Sequence, residues 1–234
     1  MSDELRIGVL ALQGDFAAHA EALRRAGNCS VREIRRREEL ALCDALVLPG
    51  GESTTLLKLL KEMDLWEPIR RLPQEGKAVF GTCAGLILMA TRVLDPPQDS
   101  LGLLPVTVAR NAYGRQVDSC VIPGVVRIPA DVSPHEIRSA GGAVSDSNTF
   151  ATEFVFIRAP RIVAVDEGVE VLAERDGDPV LVRAGFLMAA SFHPEAASDG
   201  GVERLFLALA RRARMAAGAA TDVPAATLGA PGPP

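Results

Sequence analysis

The chain has 234 residues, of which 48% are hydrophobic and 24% are charged, and its formal net charge is -5. This length and composition are typical of a globular protein that buries one substantial core. The negative charge gives no support to nucleic-acid binding, and the short basic run Arg35-Arg36-Arg37, which lacks interleaved aromatic residues, is interpreted as a solvated turn.

Targeting signals and cysteine pairs are both missing from the sequence. No basic stretch followed by an apolar core opens the chain, and no apolar segment approaches the length of a bilayer span, so we expect a cytoplasmic protein without membrane contact. The cysteines form no CxxC pair, which indicates reduced thiols and predicts neither a metal site nor a disulfide framework. No cofactor is predicted. The four cysteines are Cys29, Cys43, Cys83 and Cys120.

Strands and helices alternate in the first part of the chain. Residues 7–12 form an apolar run typical of a parallel strand buried on both faces, and Asp15 is placed to cap a helix that ends at Gly27. This alternation predicts a doubly wound, mostly parallel α/β sheet with ligands at the carboxyl ends of its strands. Further strands are predicted at 31–34, 45–48 and 78–80, and further helices at 38–42, from 52–54 onward, and at 66–72.

Two glycine-containing turns follow predicted strands, at Gln13-Gly14 and at Pro49-Gly50-Gly51-Glu52-Ser53. The second lacks the lysine and the spacing of a P-loop, so it is not interpreted as a nucleotide site. Its glycines could expose backbone N–H groups toward a reacting carbonyl, as in an oxyanion hole. The alternative is a tight turn with a helix cap.

A third special turn contains Cys83, in Gly81-Thr82-Cys83-Ala84-Gly85 between an apolar strand and an apolar helix. The Gly-x-Cys-x-Gly pattern has the form of a nucleophile elbow, in which small residues let strand and helix pack around an outward-pointing side chain. A helix N-terminus favours the reactive thiolate. On this motif alone, a buried structural cysteine remains an equal alternative.

The pattern changes after Thr91, where short, turn-separated strands predict an antiparallel extension. Residues 130–149 are predicted to be an exposed, inserted polar loop, and 198–215 a closing helix. The Ala-, Gly- and Pro-rich residues 216–234 are predicted to be a disordered tail, which leaves 1–215 as a single domain. The predicted strands are 103–109, 116–122, 154–157, 162–166, 169–174, 179–184 and 186–192.

A base for Cys83 must come from the three histidines. His19 faces inward or sideways on the first predicted helix, where a structural or surface role is the preferred interpretation, and His135 lies in the polar loop. His193 ends an apolar strand and precedes Pro194-Glu195, and the proline keeps the segment extended so that His193 and Glu195 lie on one side. A carboxylate beside an imidazole fixes its tautomer, which is the logic of a catalytic triad.

The elbow together with His193-Pro194-Glu195 resembles the class I (triad) glutamine amidotransferases. More narrowly, the chain resembles the glutaminase subunits of pyridoxal 5'-phosphate synthases over about residues 7–210. The ordered motifs that carry this narrower resemblance are Gly8-Val9-Leu10-Ala11-Leu12-Gln13-Gly14, Pro49-Gly50-Gly51-Glu52-Ser53-Thr54-Thr55, the segment from Arg110 to Ser119, and Phe156-Ile157-Arg158-Ala159-Pro160.

The resemblance implies a flavodoxin-like class I amidotransferase fold and the hydrolysis of L-glutamine to glutamate and ammonia, with ammonia passed to a separate synthase subunit for vitamin B6 biosynthesis. Cys83 is then the nucleophile that forms a glutamyl thioester, His193 the general base and acid, and Glu195 the orienting carboxylate. Substrate contacts fall on Gly51, Glu52, Ser53, Arg110, Ile157 and Arg158, the candidate oxyanion-hole N–H groups are those of Gly51 and Ala84, and Gln13 couples synthase binding to the active geometry.

The chain departs from the family pattern in its longer segment between Asp118 and Phe154 and in Ala196-Ala197-Ser198-Asp199 after the triad.

Two alternatives to the glutaminase function remain. A cysteine elbow also serves proteases and stress-response proteins of the DJ-1/PfpI type, which lack the strand-borne His-Pro-Glu and the Pro-Gly-Gly-Glu-Ser turn. A degenerate, catalytically silent regulatory subunit is the other alternative, although all three triad residues are present.

Overall fold

A computed structural model describes residues 4–110, 119–137, 144–145 and 148–221. Within these residues the main sheet has seven strands in the order β11-β12-β13-β4-β3-β1-β2. The five strands from β13 to β2 are parallel, and β12 and β11 extend them antiparallel at one edge. The seven strands are β1 (Leu5–Leu10), β2 (Cys29–Ile34), β3 (Ala45–Leu48), β4 (Ala78–Thr82), β11 (Glu170–Arg175), β12 (Asp178–Ala184) and β13 (Leu187–Ala190).

Two smaller sheets flank the main one. One contains β10-β6-β5 and the other β7-β9-β8. The parallel alternation and the antiparallel extension predicted from the sequence are therefore confirmed. Their strands are β5 (Ala90–Leu94), β6 (Leu104–Ala109), β7 (Cys120–Arg127), β8 (Val144–Ser145), β9 (Thr149–Phe156) and β10 (Arg161–Val165).

Helices cover both faces of the main sheet, because its central strands are apolar on both sides. On one face, Leu205 and Phe206 of α7 pack fully buried against Phe80 of β4 and the residues of α1. Burying one such side chain contributes about 1.5–3 kcal/mol. The second core lies on the other face, under α3, α4 and α5. The helices are α1 (Phe16–Ala26), α2 (Arg37–Ala41), α3 (Ser53–Glu62), α4 (Trp66–Arg71), α5 (Ala84–Met89), α6 (Pro134–Ile137) and α7 (Gly201–Thr221).

The prediction of an exposed loop at 130–149 is wrong for part of that segment. The short helix α6 and the strand β8 lie within it, and Val132 and Ile137 are buried in the core that contains α7. Arg204 of α7 donates a hydrogen bond to the Ile137 carbonyl oxygen at 2.8 Å. A few apolar residues therefore tie a mostly polar stretch to the domain; residues 138–143 and 146–147 lie outside the described residues.

The predicted disordered tail also begins too early. Helix α7 continues past Met215 to Thr221, through a run rich in alanine, the residue with the strongest helix propensity. Low apolar content indicates that a segment cannot build a core, but it does not stop an existing helix from continuing. Residues 222–234 lie outside the described residues, as do 111–118, which contain part of the strand predicted at 116–122.

Of the helices in the described ranges, none combines the length and the apolar character that a membrane crossing requires.

Candidate active site

Cys83 lies in a strained turn between β4 and α5. Its φ of 48° and ψ of -104° are unusual for a residue with a side chain. The flanking glycines are required by packing: a Cβ on Gly85 would lie 2.0 Å from the Leu48 carbonyl oxygen, and one on Gly81 would lie 2.6 Å from Met89 Sδ. The strand and helix therefore pack closely on either side of Cys83, as the elbow pattern predicts.

The imidazole of His193 reaches Cys83 from the neighbouring strand. β13 pairs in parallel with β4, and the Cys83 N–H donates to the Ala190 carbonyl oxygen at 2.9 Å. His193 follows three residues after Ala190, and its N–H donates to the Val155 carbonyl oxygen at 2.8 Å. The His193 ring and the Cys83 side chain lie side by side, since both line one cavity and both face Gly50.

Glu195 orients that imidazole from the opposite side. Its Oε1 lies 2.7 Å from His193 Nδ1, and its side chain is only 3% exposed. Because Nδ1 faces the carboxylate, Nε2 remains for the thiol, which is the arrangement that a cysteine–histidine–carboxylate triad needs. A 3-10 helix over Pro194–Ala196 carries the carboxylate back toward the ring.

Interactions within the triad shift the pKa values of His193 and Glu195 in the directions that keep both groups charged. Burial by itself lowers the pKa of His193, but hydrogen bonds and charges from Cys83 and Glu195 raise it to about 10. Burial likewise raises the pKa of Glu195, but His19 and His193 lower it to about 2. At neutral pH the imidazole is therefore a cation between an anionic carboxylate and the cysteine, which is the state that favours a thiolate.

The cysteine and histidine open into a cavity of about 410 Å³ at the carboxyl ends of the parallel strands. This is the position that the fold favours for a ligand site. Predicted site residues from six separate parts of the chain line it together: Gln13, Gly51, Glu52, Ser53, Cys83, Arg110, Ile157, Arg158 and His193. Of the other predicted site residues, Ala84 lies beneath the cysteine at the start of α5, and Glu195 lies behind His193.

The glycine turn approaches the triad so closely that side chains are excluded. A Cβ on Gly50 would lie 2.5 Å from His193 Cε1 and 3.4 Å from Cys83 Cβ. At the next residue, Gly51, a Cβ would lie 2.4 Å from Gln13 Oε1. The Gln13 amide oxygen also accepts a hydrogen bond from the Glu52 N–H at 2.8 Å, so Gln13 braces this turn from the end of β1.

Charged groups of both signs border the same cavity. Glu52 caps α3: its carboxylate accepts hydrogen bonds from the Thr54 and Thr55 N–H groups and from the Thr55 hydroxyl. These bonds overcome the effect of burial and lower the pKa of Glu52 to about 2. Arg110 donates to the Thr54 hydroxyl at 3.2 Å and lies 3.9 Å from Glu52. Arg158 adds a second guanidinium from a residue whose φ is 46°.

One buried contact of the triad was not predicted from the sequence. His19, for which a structural or surface role is preferred from the sequence, has its Nε2 atom 3.2 Å from Glu195 Oε2 and 2.9 Å from Thr82 Oγ1. Position 19 falls on the inner face of α1, and a histidine there is the one available signal. His135, by contrast, is exposed on α6 away from the cavity.

Residues 9–210 match the model of the SNO glutamine amidotransferase family. Among curated proteins, the chain is 48% identical over 205 residues to pyridoxal 5'-phosphate synthase subunit PdxT of Solibacter usitatus, which covers 86% of this chain and 97% of that protein. It is 44% identical over 207 residues to the subunit of the same name from Thermotoga maritima, which covers 88% of this chain and all of that protein.

Solved structures agree with these relatives in fold. A crystal structure of a glutamine amidotransferase superposes with a TM-score of 0.72 at 43% identity and covers 87% of this chain and 98% of its own. The PurLQS structure from Thermotoga maritima superposes with a TM-score of 0.62 at 17% identity, covering 88% of this chain and 97% of that chain, and supports the fold alone. The flavodoxin-like amidotransferase fold predicted from the sequence is confirmed.

Proposed function

The chain belongs to the SNO glutamine amidotransferase family, and from this membership and its site we propose that it hydrolyses L-glutamine and supplies the ammonia to a pyridoxal 5'-phosphate synthase subunit. The observation that carries the proposal is that Cys83 and His193 line one charged cavity together, with Glu195 Oε1 2.7 Å from His193 Nδ1 on the far side of the ring. The expected cytoplasmic location stays a prediction.

The reaction begins when the Cys83 thiolate attacks the side-chain amide carbon of glutamine. The carbonyl oxygen becomes an oxyanion, for which the N–H groups of Gly51 and Ala84 are the proposed donors. Collapse of this intermediate breaks the C–N bond. His193, which is a cation at neutral pH, gives its proton to the departing nitrogen, so ammonia leaves and a glutamyl thioester remains.

The second half-reaction reverses the role of His193. The now neutral imidazole takes a proton from water, the resulting hydroxide attacks the thioester carbon, and the C–S bond breaks to give glutamate and the free thiolate. Glu195 stays ionised throughout and stabilises each imidazolium that forms. One water is consumed and one ammonia is released in each cycle.

The cavity walls offer partners for both ends of glutamine. The Arg110 and Arg158 guanidinium groups are the proposed contacts of the α-carboxylate, since guanidinium binds carboxylate in a bidentate manner. The ionised Glu52 carboxylate is the proposed contact of the α-ammonium group. Ser53 and Ile157 complete the walls, and Cys83 Sγ lies 4.0 Å from the Ile157 carbonyl oxygen.

Gln13 is the proposed link to the partner subunit. It lies at the cavity rim, and its amide oxygen holds the Glu52 N–H next to the proposed oxyanion donor Gly51. A partner that moves Gln13 would therefore move the turn that must face the oxyanion. On this account the isolated chain is a weak glutaminase that the synthase subunit activates.

The test is to mix the chain with a synthase subunit of its relatives' kind and to measure formation of pyridoxal phosphate from the sugar phosphates by absorbance. Glutamine should support formation only when the chain is present, whereas ammonium chloride should support it with or without the chain. Formation from ammonium but none from glutamine would overturn the proposal and would leave the catalytically silent subunit as the better account. Peptide turnover in place of glutamine turnover would favour the protease-type alternative.

A further inference from the structure

A buried histidine contacts the triad from the side away from the cavity. His19 has a side chain that is only 2% exposed, and its Nε2 atom lies 3.2 Å from Glu195 Oε2. This contact is an ion-pair approach: Glu195 Oε2 has no hydrogen-bonding partner in the described ranges, although the atom is fully buried. A buried carboxylate oxygen without a donor is costly, so this one contact matters more than its length suggests.

The same nitrogen lies 2.9 Å from Thr82 Oγ1, and Thr82 directly precedes the nucleophile. Because a carboxylate only accepts hydrogen bonds, the contact with Glu195 is attractive only when Nε2 carries a hydrogen. The single hydrogen on Nε2 therefore lies between Thr82 at the end of β4, at hydrogen-bond distance, and the carboxylate that orients His193, at ion-pair distance. Its imidazole does not line the cavity.

We propose that His19 is a positioning residue of the glutaminase, which holds the outer oxygen of Glu195 so that the inner oxygen stays aligned on His193. The inference rests on the proposed function for its effect on turnover. Its effect on the reactivity of Cys83 does not depend on which substrate the enzyme uses. His19 itself touches neither substrate nor reacting atoms.

The electrostatics around His19 agree with this role. Burial raises the pKa of Glu195, and the adjacent His19 is the strongest influence that lowers it again. Without His19, the pKa of Glu195 rises, so the carboxylate is lost at a higher pH as the solution is acidified. Loss of that anion removes support from the His193 cation and from the thiolate that it stabilises.

A second buried carboxyl group near His19 could also change the pH dependence, so its contribution must be distinguished from that of Glu195. Glu203 of α7 is 2% exposed, and its Oε1 has no hydrogen-bonding partner among the residues described. Burial raises its pKa to about 7, His19 opposes that rise, and Glu195 and Asp199 add to it. Thr82, Glu195 and Glu203 are thus the polar groups that the neighbouring elements present to His19, with Asp199 acting on Glu203.

Two near-isosteric variants provide the test. His19→Gln places an amide N–H near the position of Nε2, whereas His19→Asn places it near Nδ1, too short to reach Glu195. The readout is the rate at which iodoacetamide alkylates Cys83, followed by mass spectrometry of its peptide from pH 2 to 9 in the full chain. Glutamine turnover with the synthase subunit is measured in parallel.

We expect His19→Gln, which keeps an N–H donor without the imidazole, to lose less than His19→Asn, which should lose roughly ten- to a hundredfold in both rates, the range for one interaction with a charged group. The acidic limb of the alkylation profile, the fall in rate as the solution is acidified, should move to a higher pH in His19→Asn than in His19→Gln. The same shift should persist in a Glu203→Gln background, where Glu203 cannot titrate.

Two controls distinguish positioning from general stability. Leu23→Ala opens a cavity on the same face of α1, so it should lower thermal stability without shifting the acidic limb of the alkylation profile. The exposed His135→Asn should change neither thermal stability nor the alkylation profile. Equal profiles for His19→Asn and His19→Gln, or a shift that vanishes in the Glu203→Gln background, would overturn the proposal. A preserved alkylation shift without any glutamine turnover would instead count against the proposed function.

Discussion

Thr82 and Ala190 are register partners on the adjacent parallel strands β4 and β13. The Cys83 N–H continues this ladder by donating to the Ala190 carbonyl oxygen at 2.9 Å. Since Cys83 and His193 follow the two ends of this pair, one strand pairing brings together a nucleophile and a base that are far apart in the sequence. A change that disturbs this end of the sheet should therefore act on catalysis before it acts on folding.

Gly50→Ala tests the close approach of the glycine turn. The added Cβ would lie 2.5 Å from His193 Cε1, so the imidazole or the turn must move. We expect glutamine turnover to fall by about a hundredfold, as for a displacement of about 1 Å in an active site. The control is Gly218→Ala, an open position in α7 that should leave turnover unchanged. Normal turnover of Gly50→Ala would show that the ring does not need its observed position.

Arg110→Gln tests the proposed contact with the α-carboxylate of glutamine. Loss of the guanidinium should raise KM for glutamine about tenfold with little change in kcat, because the group is remote from the bond that breaks. Arg25→Gln removes a guanidinium that pairs with Glu21 on the exposed face of α1, and it should alter neither constant. A loss of kcat at unchanged KM would contradict the assignment of Arg110 to ground-state binding.

Glu195→Gln tests the charge balance of the triad. Burial lowers the pKa of His193, whereas Cys83 and Glu195 raise it to about 10, so loss of the carboxylate should lower that pKa. The Cε1–H resonance of His193, followed by NMR between pH 5 and 11, should titrate near 10 in the wild type and well below that in the variant. Unchanged titration would show that Glu195 does not support the imidazolium.

The same pair makes stability depend on pH. A raised pKa for His193 adds stability that is complete below its ordinary value of 6.5 and is lost as the pH rises toward 10. The lowered pKa of Glu195 adds stability that is present above 4.5 and is lost as the pH falls toward 2. The free energy of unfolding should therefore decline by about 2 kcal/mol more between pH 6.5 and 10 in the wild type than in Glu195→Gln. Urea unfolding would contradict this if the free energy of unfolding declined equally with pH in the wild type and in Glu195→Gln.

Gln13→Ala tests the coupling to the partner. Removing the amide oxygen leaves the Glu52 N–H without its acceptor and frees the turn that contains Gly51. We expect the variant to bind the synthase subunit but to lose most of the activation that the subunit gives to wild-type glutamine hydrolysis. Full activation of Gln13→Ala, or equal wild-type activity with and without the synthase, would count against this role.

Much of the fold follows from local pattern. Apolar runs with turn signals at both ends predict β3 at its observed bounds, and Asp15 and Gly27 predict the ends of α1. β5 is missed because Ala90–Leu94 follows α5 without any break in apolar character. β7 continues to Arg127, past the end predicted at residue 122, because it contains Pro123 and Gly124, which argue against a strand. Its pairing with β9 tolerates both, and a Cβ on Gly124 would lie 2.2 Å from Phe154 Cε2.

Part of the candidate site can also be predicted from local sequence. Cys83 and His193-Pro194-Glu195 lie in short motifs that are typical of catalytic residues, so the triad can be predicted from the sequence. The partners of the outer Glu195 oxygen cannot, because the contact of His19 depends on how α1 packs against β4 and the 3-10 helix that follows β13. Tertiary contacts of this kind produce no local sequence pattern. The burial of Glu203 could not be predicted from the sequence for the same reason.

The central claim is that the Cys83 thiolate attacks the amide of glutamine, and Cys83→Ala tests it most directly. The measurement is ammonia release from glutamine in the presence of the synthase subunit, with circular dichroism and co-elution to show that fold and partner binding persist. Cys43→Ala, at a buried thiol remote from the cavity, is the matched control. We predict a loss of about 10⁴-fold or more for Cys83→Ala and wild-type rates for Cys43→Ala. Undiminished ammonia release from Cys83→Ala would contradict the account.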